Sequence, residues 1–113
     1  MLTKKDIIAI NQQFSNGNII NESSLNFILA QTYRSKHWYK TMCLLTRTIL
    51  LDHIFEDGNK RTATAIIMGY LEMNSYSYNP DRITRIILTI TKNNISNINT
   101  IGRLINHAIN EKN

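Results

Sequence analysis

Apolar residues recur along this chain with the 3.6-residue period of α-helices. Three segments in the second half repeat the spacing i, i+3, i+4, i+7, and a segment near the middle carries a looser apolar stripe. The four stripes are Trp38, Met42, Leu45 and Ile49; Ala63, Ile66, Ile67, Tyr70 and Leu71; Ile83, Ile86, Ile87 and Ile90; and Ile101, Leu104, Ile105, Ala108 and Ile109. Sustained period-two alternation is missing, although β-branched Ile is abundant. The pattern therefore predicts an all-α fold.

The ends of the predicted helices carry start signals. Pro80 suits the first turn of a helix, and Asn97 or Asn99 suits the cap of the last one. We predict helices over about Lys4–Phe14, Glu22–Ala30, Lys36–His53 and Asp81–Lys92, together with the two helices of the Ala63 and Ile101 stripes. No linker rich in Pro, Gly or Ser divides the chain. Residues 1–113 are therefore expected to form one compact domain.

Composition excludes several classes of protein. A chain of 113 residues is too short for two domains, and the single Cys43 cannot form an internal disulfide. No stretch approaches the roughly 20 apolar residues that span a bilayer. The net charge of +5 would suit a nucleic-acid partner, but the basic residues are scattered along the chain. We expect an unprocessed cytoplasmic protein that binds neither membrane nor nucleic acid.

The densest polar cluster lies between two of the amphipathic helices. It consists of Asp52, His53, Glu56, Asp57, Gly58, Asn59, Lys60 and Arg61. Free backbone N–H groups at the start of the second helix, with the positive end of its dipole, favour an anion there. Gly58 lets a phosphate approach the backbone closely, and Lys60 and Arg61 add positive charge. The cluster therefore predicts a phosphate-binding helix start.

Each residue of the cluster also has a simpler interpretation. Asp57 is a hard oxygen ligand suited to Mg²⁺, but a lone Asp before a helix is also a common N-cap. His53 can serve as a base near neutral pH, or it can be an ordinary helix-end histidine. Gly58 alone indicates a turn, and Lys60 and Arg61 alone indicate a solvated face. The simpler interpretations do not explain why these residue types occur together within nine positions.

The cluster resembles the signature of a known family. His53-x-Phe55-x-Asp57-Gly58-Asn59-x-Arg61 is similar to the Fic/Doc (Fido) pattern His-x-Phe-x-Asp/Glu-Gly/Ala-Asn-x-Arg. Single all-α domains of about this length resemble the Doc type, the death-on-curing toxins of toxin–antitoxin pairs. The resemblance implies a helical bundle of about six helices with a short flap before the motif helix. It also implies a transferase of phosphorus-containing groups with ATP as co-substrate and Mg²⁺ as cofactor.

The resemblance also implies roles for individual residues. His53, Asp57 and Arg61 would be catalytic, with His53 as the general base, Asp57 as the Mg²⁺ ligand and Arg61 on a phosphate. The implied nucleotide-binding residues are Gly58, Asn59, Lys60, Arg61 and Thr62. Phe55 would anchor the loop in the core. The flap would fall in residues 30–39, with Tyr33, Arg34 and Lys36 as its target-binding side chains.

Two departures from the family pattern bear on the reaction. Fic members that transfer AMP usually carry Pro after the His and a second Arg three residues after the first, where this chain has Ile54 and Thr64. The missing second Arg and the presence of Lys60 look more like Doc, which transfers a γ-phosphate. We therefore expect a protein kinase-like activity on a hydroxyl side chain. AMP transfer (AMPylation, by a nucleotidyltransferase) and a non-catalytic module that binds nucleotide or a partner remain as alternatives.

Regulation is expected to come from another chain. Many Fic relatives inhibit themselves through a Ser/Thr-x-x-x-Glu-Gly/Asn helix, and no Glu of this sequence is followed by Gly or Asn. The resemblance therefore implies an antitoxin protein acting in trans. The other expected partner is a target protein whose identity the sequence does not give, with translation-related proteins among the candidates.

Overall fold

Six helices and one short sheet make up the part of the chain that the computed structural model describes, residues 2–112. The elements are α1 (Lys4–Gln12), α2 (Glu22–Thr32), α3 (Trp38–Leu51), α4 (Asn59–Met73), β1 (Tyr76–Tyr78), α5 (Pro80–Lys92), α6 (Ile98–Asn106) and β2 (Ile109–Lys112). They form one globule with a single continuous core. The prediction of an all-α fold is confirmed.

Four of the helices begin at side chains that cap them. Thr3 and Asp6 form a capping box at α1, and Asn21, Asn79 and Asn97 accept hydrogen bonds from the first turns of α2, α5 and α6. Each cap satisfies a backbone N–H group that has no partner within its helix. The expected start at Pro80 is confirmed, and the cap of the last helix is Asn97 rather than Asn99.

The core is built around α3 and α4, which pack against each other at the centre of the molecule. α6 packs on α3, and α1 and α5 pack on α4. The apolar stripes predicted from the sequence face this core: Leu45, Ile49, Ile67, Leu71 and Ile87 are each no more than 1% exposed. Because α3 is buried on most of its surface, its C-terminal end is held firmly where the polar cluster begins.

Two boundaries and one element differ from the predictions. α3 ends at Leu51 rather than at His53, and the last helix ends at Asn106, before the Ala108 and Ile109 positions of its stripe. Ile109 belongs instead to β2, which pairs antiparallel with β1. This sheet joins segments that two helices separate, so local sequence periodicity carries no signal for it. None of the helices in residues 2–112 is long and apolar enough to cross a membrane.

Candidate functional site

The chain reverses direction directly after α3, at His53. This residue has a backbone φ of +48°, in the left-handed region that Gly and Asn favour after a helix end. A residue with a Cβ adopts it at a cost of about 1 kcal/mol. The turn takes His53 out of the helix, so its side chain is exposed rather than packed under the helix terminus. Backbone strain of this kind is typical of positions held for function.

Phe55 and Asn59 close the loop that follows. The Phe55 ring is buried, with 1% of its surface exposed. Its backbone N–H donates to Asn59 Oδ1 (2.9 Å), and Asn59 Nδ2 donates back to the Phe55 carbonyl (2.8 Å). Both ends of the Asn59 amide are therefore engaged within the loop. This double hydrogen bond fixes the distance between the loop and the first turn of α4.

A second segment, residues 15–21, lies along the outer side of the same loop. Ile19 and Phe55 form an isolated antiparallel bridge. The Ile20 N–H donates to the Ile54 carbonyl (2.8 Å), and the Glu56 N–H donates to the Asn18 carbonyl (2.9 Å). The loop is therefore held by a short extended segment that connects α1 to α2.

Asn11 of α1 ties both of these parts together from the interior. Its side chain is fully buried. Nδ2 donates to the Asp57 carbonyl (2.9 Å) and to Thr62 Oγ1 (3.0 Å), and Oδ1 accepts from the Gly17 N–H (2.9 Å). Sequence reasoning missed this residue. The available signal was its position four residues after the buried Ile7, on the core-facing side of α1, where a polar side chain needs partners.

The first turn of α4 has no side-chain cap. Its N-cap is Gly58, with a φ of +79°. A Cβ at this position would lie 3.0 Å from Asn11 Nδ2, so glycine is required by both conformation and space. The Asp57 carboxylate does not cap the helix, so the interpretation of Asp57 as an ordinary N-cap is wrong. The N–H groups of residues 59–61 therefore remain available to an anion.

The motif residues line one cavity of about 660 Å³ beside this helix start. Its walls are formed by Phe14, Leu50, Leu51, His53, Glu56, Asp57, Gly58, Asn59, Lys60, Arg61, Thr91 and Asn94. All five residues predicted to bind phosphate, metal or proton through a side chain or a glycine backbone are thus brought together. Within residues 2–112, the side chains of His53, Asp57, Lys60 and Arg61 make no hydrogen bond or ion pair.

The donor set at this cavity bears on the predicted Mg²⁺. Among the described residues, no group of three or more His, Cys, Asp or Glu side chains is arranged to hold a metal ion by itself. Glu56 accepts a hydrogen bond from Asn18 Nδ2 (3.1 Å), so the neighbouring Asp57 is the carboxylate without a partner. One free carboxylate fits Mg²⁺ that completes its shell with phosphate oxygens and water.

Thr62 does not belong to the nucleotide-binding set that the family resemblance implied. Its side chain is fully buried, and its hydroxyl donates to the Gly58 carbonyl (2.8 Å) while accepting from Asn11. Its backbone N–H also donates to the Gly58 carbonyl (2.9 Å). Thr62 therefore holds the glycine turn from inside. Asn59 likewise has its side chain committed to Phe55, so only its backbone N–H faces the anion position.

The predicted flap residues lie away from the cavity. Tyr33, Arg34 and Lys36 follow α2 and precede α3, whereas His53 follows the opposite end of α3. The 14 residues of α3 span about 21 Å at 1.5 Å per residue. The Arg34 guanidinium lies over the Tyr33 ring at 5.9 Å. The segment that flanks the motif loop is instead residues 15–21, so the flap prediction is wrong.

The far wall of the cavity comes from residues that the motif did not indicate. Phe14 follows α1, and Thr91 and Asn94 lie at the end of α5, with Asn94 in the left-handed conformation (φ +49°). No local pattern marks these positions, because they reach the site only through the packing of α1 and α5 on α4. No protein-family model matches this chain, and no curated protein matches it.

Proposed function

We propose that this protein is a Doc-like transferase that moves the γ-phosphoryl group of Mg-ATP to a hydroxyl side chain of a target protein. One observation carries the proposal. A histidine, a carboxylate and two cations, none of them paired internally, line a single cavity at an uncapped helix start. The order and spacing of these residues resemble the Fic/Doc signature. A cavity of about 660 Å³ also falls in the range that suits a nucleotide.

The phosphates would bind at the start of α4. Three backbone N–H groups and the helix dipole point at this position, and Gly58 removes the Cβ that would obstruct a phosphate. Lys60 and Arg61 are exposed on the same rim and neutralise charge on the phosphates. In phosphoryl transfer, positioning and charge neutralisation supply most of the catalysis.

Asp57 would hold Mg²⁺, together with the phosphates and water. When bound, the ion supplies further neutralisation of the phosphate oxygens. The Asp57 backbone is fixed by the hydrogen bond from Asn11, so the carboxylate keeps its place on the cavity wall without a partner of its own. This arrangement gives binding of the nucleotide a dependence on Asp57.

His53 would act as the general base on the target hydroxyl. The left-handed turn presents its side chain at the cavity wall. The imidazole takes the proton of a Ser, Thr or Tyr hydroxyl, the hydroxyl oxygen forms a bond to the γ-phosphorus, and the bond to the ADP oxygen breaks. The proton remains on His53 until it is released to water, and ADP leaves. The extended segment 15–21 beside the loop is the place where a target segment would approach.

AMP transfer by the same cavity is the second candidate. It would need the outer phosphates held by a second cation, for which the family uses the position of Thr64. The Thr64 hydroxyl donates to the Lys60 carbonyl (2.8 Å), and Thr64 does not line the cavity. The absence of a cation there favours γ-phosphoryl transfer. A module that binds nucleotide without catalysis is the third candidate.

Labelled ATP separates these candidates. Purified protein is incubated with cell extract and with ATP labelled at the γ- or the α-phosphate. We expect label from the γ-position only, on one protein band whose mass identifies the target. His53→Ala should lower transfer by about 10²–10⁴-fold. The matched control is His107→Ala, an exposed histidine after α6 whose side chain makes no described contact, and it should leave transfer unchanged.

The outcomes are distinct. Label from the α-position would indicate AMP transfer, and no label from folded protein would indicate the binding module. Activity of His53→Ala close to that of the wild type would refute the role of His53. As a toxin controlled by an antitoxin in trans, the chain expressed alone should arrest growth, and His53→Ala should relieve the arrest. Normal growth with abundant folded wild-type protein would contradict the toxin assignment.

A further inference from the structure

A second groove, which shares no lining residue with the motif cavity, runs between α3 and α6. Its volume is about 1250 Å³. Four of its lining residues are cations: Lys36, Lys40 and Arg47 on the side of α3, and Arg103 on α6. Among the described residues that line the groove, none is acidic. We call this feature the basic groove.

The four cations of the basic groove have no acidic partners. Across residues 2–112 the recorded ion pair is the one between Lys4 and Glu22, on another part of the surface. Arg47 Nη1 donates to the Ser96 carbonyl (3.4 Å) and Arg103 Nη2 donates to Thr100 Oγ1 (3.4 Å), so both guanidinium groups are held only by neutral oxygens. Lys36 and Lys40 are exposed. The groove therefore carries an uncompensated positive charge that favours an anionic ligand.

The floor of the groove is apolar. Cys43 is 1% exposed, and Gly102 lies beside it in the middle of α6. A Cβ at Gly102 would lie 3.4 Å from the Tyr39 ring and 3.7 Å from Cys43 Sγ. Glycine in a helix interior is unfavourable, and here its missing side chain leaves the floor open between the two helices. A ligand with an apolar group between its charges fits this cross-section.

The aromatic side chains of the groove are committed to internal packing. The Trp38 ring packs edge-on against Tyr39 (5.4 Å) and against Tyr76 (5.8 Å). The Tyr39 hydroxyl donates to the Gly102 carbonyl (2.7 Å). Neither ring is a free platform for a base, whereas binding of single-stranded nucleic acid relies on such platforms. The basic rim and apolar floor are therefore better matched to a peptide than to a nucleic acid.

We infer that the basic groove binds an acidic peptide segment of a partner protein, one that alternates carboxylates with apolar side chains. The carboxylates would pair with Lys36, Lys40, Arg47 and Arg103, and an apolar side chain would lie over Gly102. Lys36 lies at the opposite end of α3 from the motif loop, about 20 Å away by helix rise. The inference is independent of the proposed transfer reaction, because the two cavities have no residue in common.

The test uses the full chain and three defined probes. These are a dye-labelled 12-residue peptide of repeated Glu-Glu-Leu, the corresponding Lys-Lys-Leu peptide and a 12-nucleotide oligothymidylate. Binding is measured by probe anisotropy and by the fluorescence of Trp38, the one Trp in the chain, which lies in the groove wall. We expect saturable binding of the acidic peptide with a change in Trp38 emission, and no binding of the basic peptide. Weaker binding of oligothymidylate than of the acidic peptide is also expected.

Two matched charge reversals locate the binding. Lys40→Glu with Arg103→Glu alters the groove, and Lys5→Glu with Arg85→Glu alters exposed cations elsewhere. Each pair lowers the net charge from +5 by four, to +1. The groove pair should weaken acidic-peptide binding by about tenfold or more, and the control pair by less than about threefold. If the groove pair fails to melt cooperatively, Lys40→Gln with Arg103→Gln replaces it.

Three results would overturn the inference. One is the absence of saturable acidic-peptide binding to the wild type, and another is an equal loss in the two reversed pairs, which would show an effect of net charge alone. The third is tighter binding of oligothymidylate than of the acidic peptide, which would assign the groove to nucleic acid. All three can be observed whether or not the protein transfers phosphate.

Discussion

Replacement of Asn11 by Ala tests whether the motif loop is held from the interior. The buried Asn11 amide makes three hydrogen bonds, to the Asp57 carbonyl, to Thr62 Oγ1 and from the Gly17 N–H. Ala removes all three and leaves their partners near or beneath the surface without a replacement. We therefore expect a loss of stability together with a loosening of the loop that carries Asp57.

The expected magnitude follows from these contacts. Each net hydrogen bond contributes about 1 kcal/mol, so three contribute about 3 kcal/mol. Ala has a better helix propensity than Asn, which offsets about 0.5 kcal/mol. The free energy of unfolding of Asn11→Ala should thus fall by about 2–3 kcal/mol. For a domain of this size, about 4 °C per kcal/mol gives a melting temperature roughly 10 °C lower.

The assay is urea denaturation followed by circular dichroism, with a thermal melt as a second measurement. Asn26→Ala is the matched control, because Asn26 lies in the middle of α2, is exposed and makes no recorded side-chain contact. It should change the free energy of unfolding by less than about 0.5 kcal/mol. Titration of both variants with Mg-ATP then reports the loop, and we expect Asn11→Ala alone to lose affinity.

The reasoning would be refuted by an Asn11→Ala variant as stable as Asn26→Ala. That result would mean that the three hydrogen bonds contribute nothing net to the folded state. A large loss of stability with unchanged Mg-ATP affinity would contradict the second step only, and would separate the fold from the site.

Four further predictions follow from the same contacts. Asp57→Ala should change the melting temperature by less than about 2 °C, since no cap is lost, yet abolish the Mg²⁺ dependence of ATP binding; a cap-like loss of about 1 kcal/mol would contradict this. Gly69→Ala should stabilise by about 0.5–1 kcal/mol, because its Cβ meets open space, whereas Gly58→Ala should destabilise by more than that in the same melts. Thr64→Arg should raise AMP transfer relative to γ-phosphoryl transfer, and an unchanged ratio of labelled products would count against the missing clamp. Burial raises the pKa of the Cys43 thiol to about 11, so at about pH 8 the thiol stays protonated and should react with an aromatic disulfide far more slowly in the folded protein than in urea.

The helices could be predicted because their signals are local. Four isoleucines of α5 recur at the helical period and are all buried, and Pro80 and Asn97 mark helix starts by their own chemistry. The loop of the motif was also predictable, since its glycine and charges lie in one short stretch. Each of these features depends on residues fewer than about ten positions apart.

The remaining features depend on contacts between distant segments. Asn11 finds its partner Asp57 46 residues away, and nothing near Asn11 distinguishes it from a solvated polar residue. The flap was misplaced for the same reason, because closeness in sequence to α3 says nothing about which end of α3 is near the site. The basic groove arises when cations of α3 and α6 meet, although in the sequence they are scattered.

The origin of the cavity walls has a consequence for the order of events during synthesis. The motif is complete once Arg61 has been made, but Asn94, on the far wall, lies 37 residues beyond Asp57 (94 minus 57). At about 5–20 residues per second, a ribosome needs roughly 2–7 s to add that stretch. During this interval the nascent chain contains every motif residue and lacks the enclosure that binds a nucleotide. The chemistry therefore becomes available only when α5 has been released and has packed on α4, so a truncated chain that ends before α5 would keep the signature and lack the site.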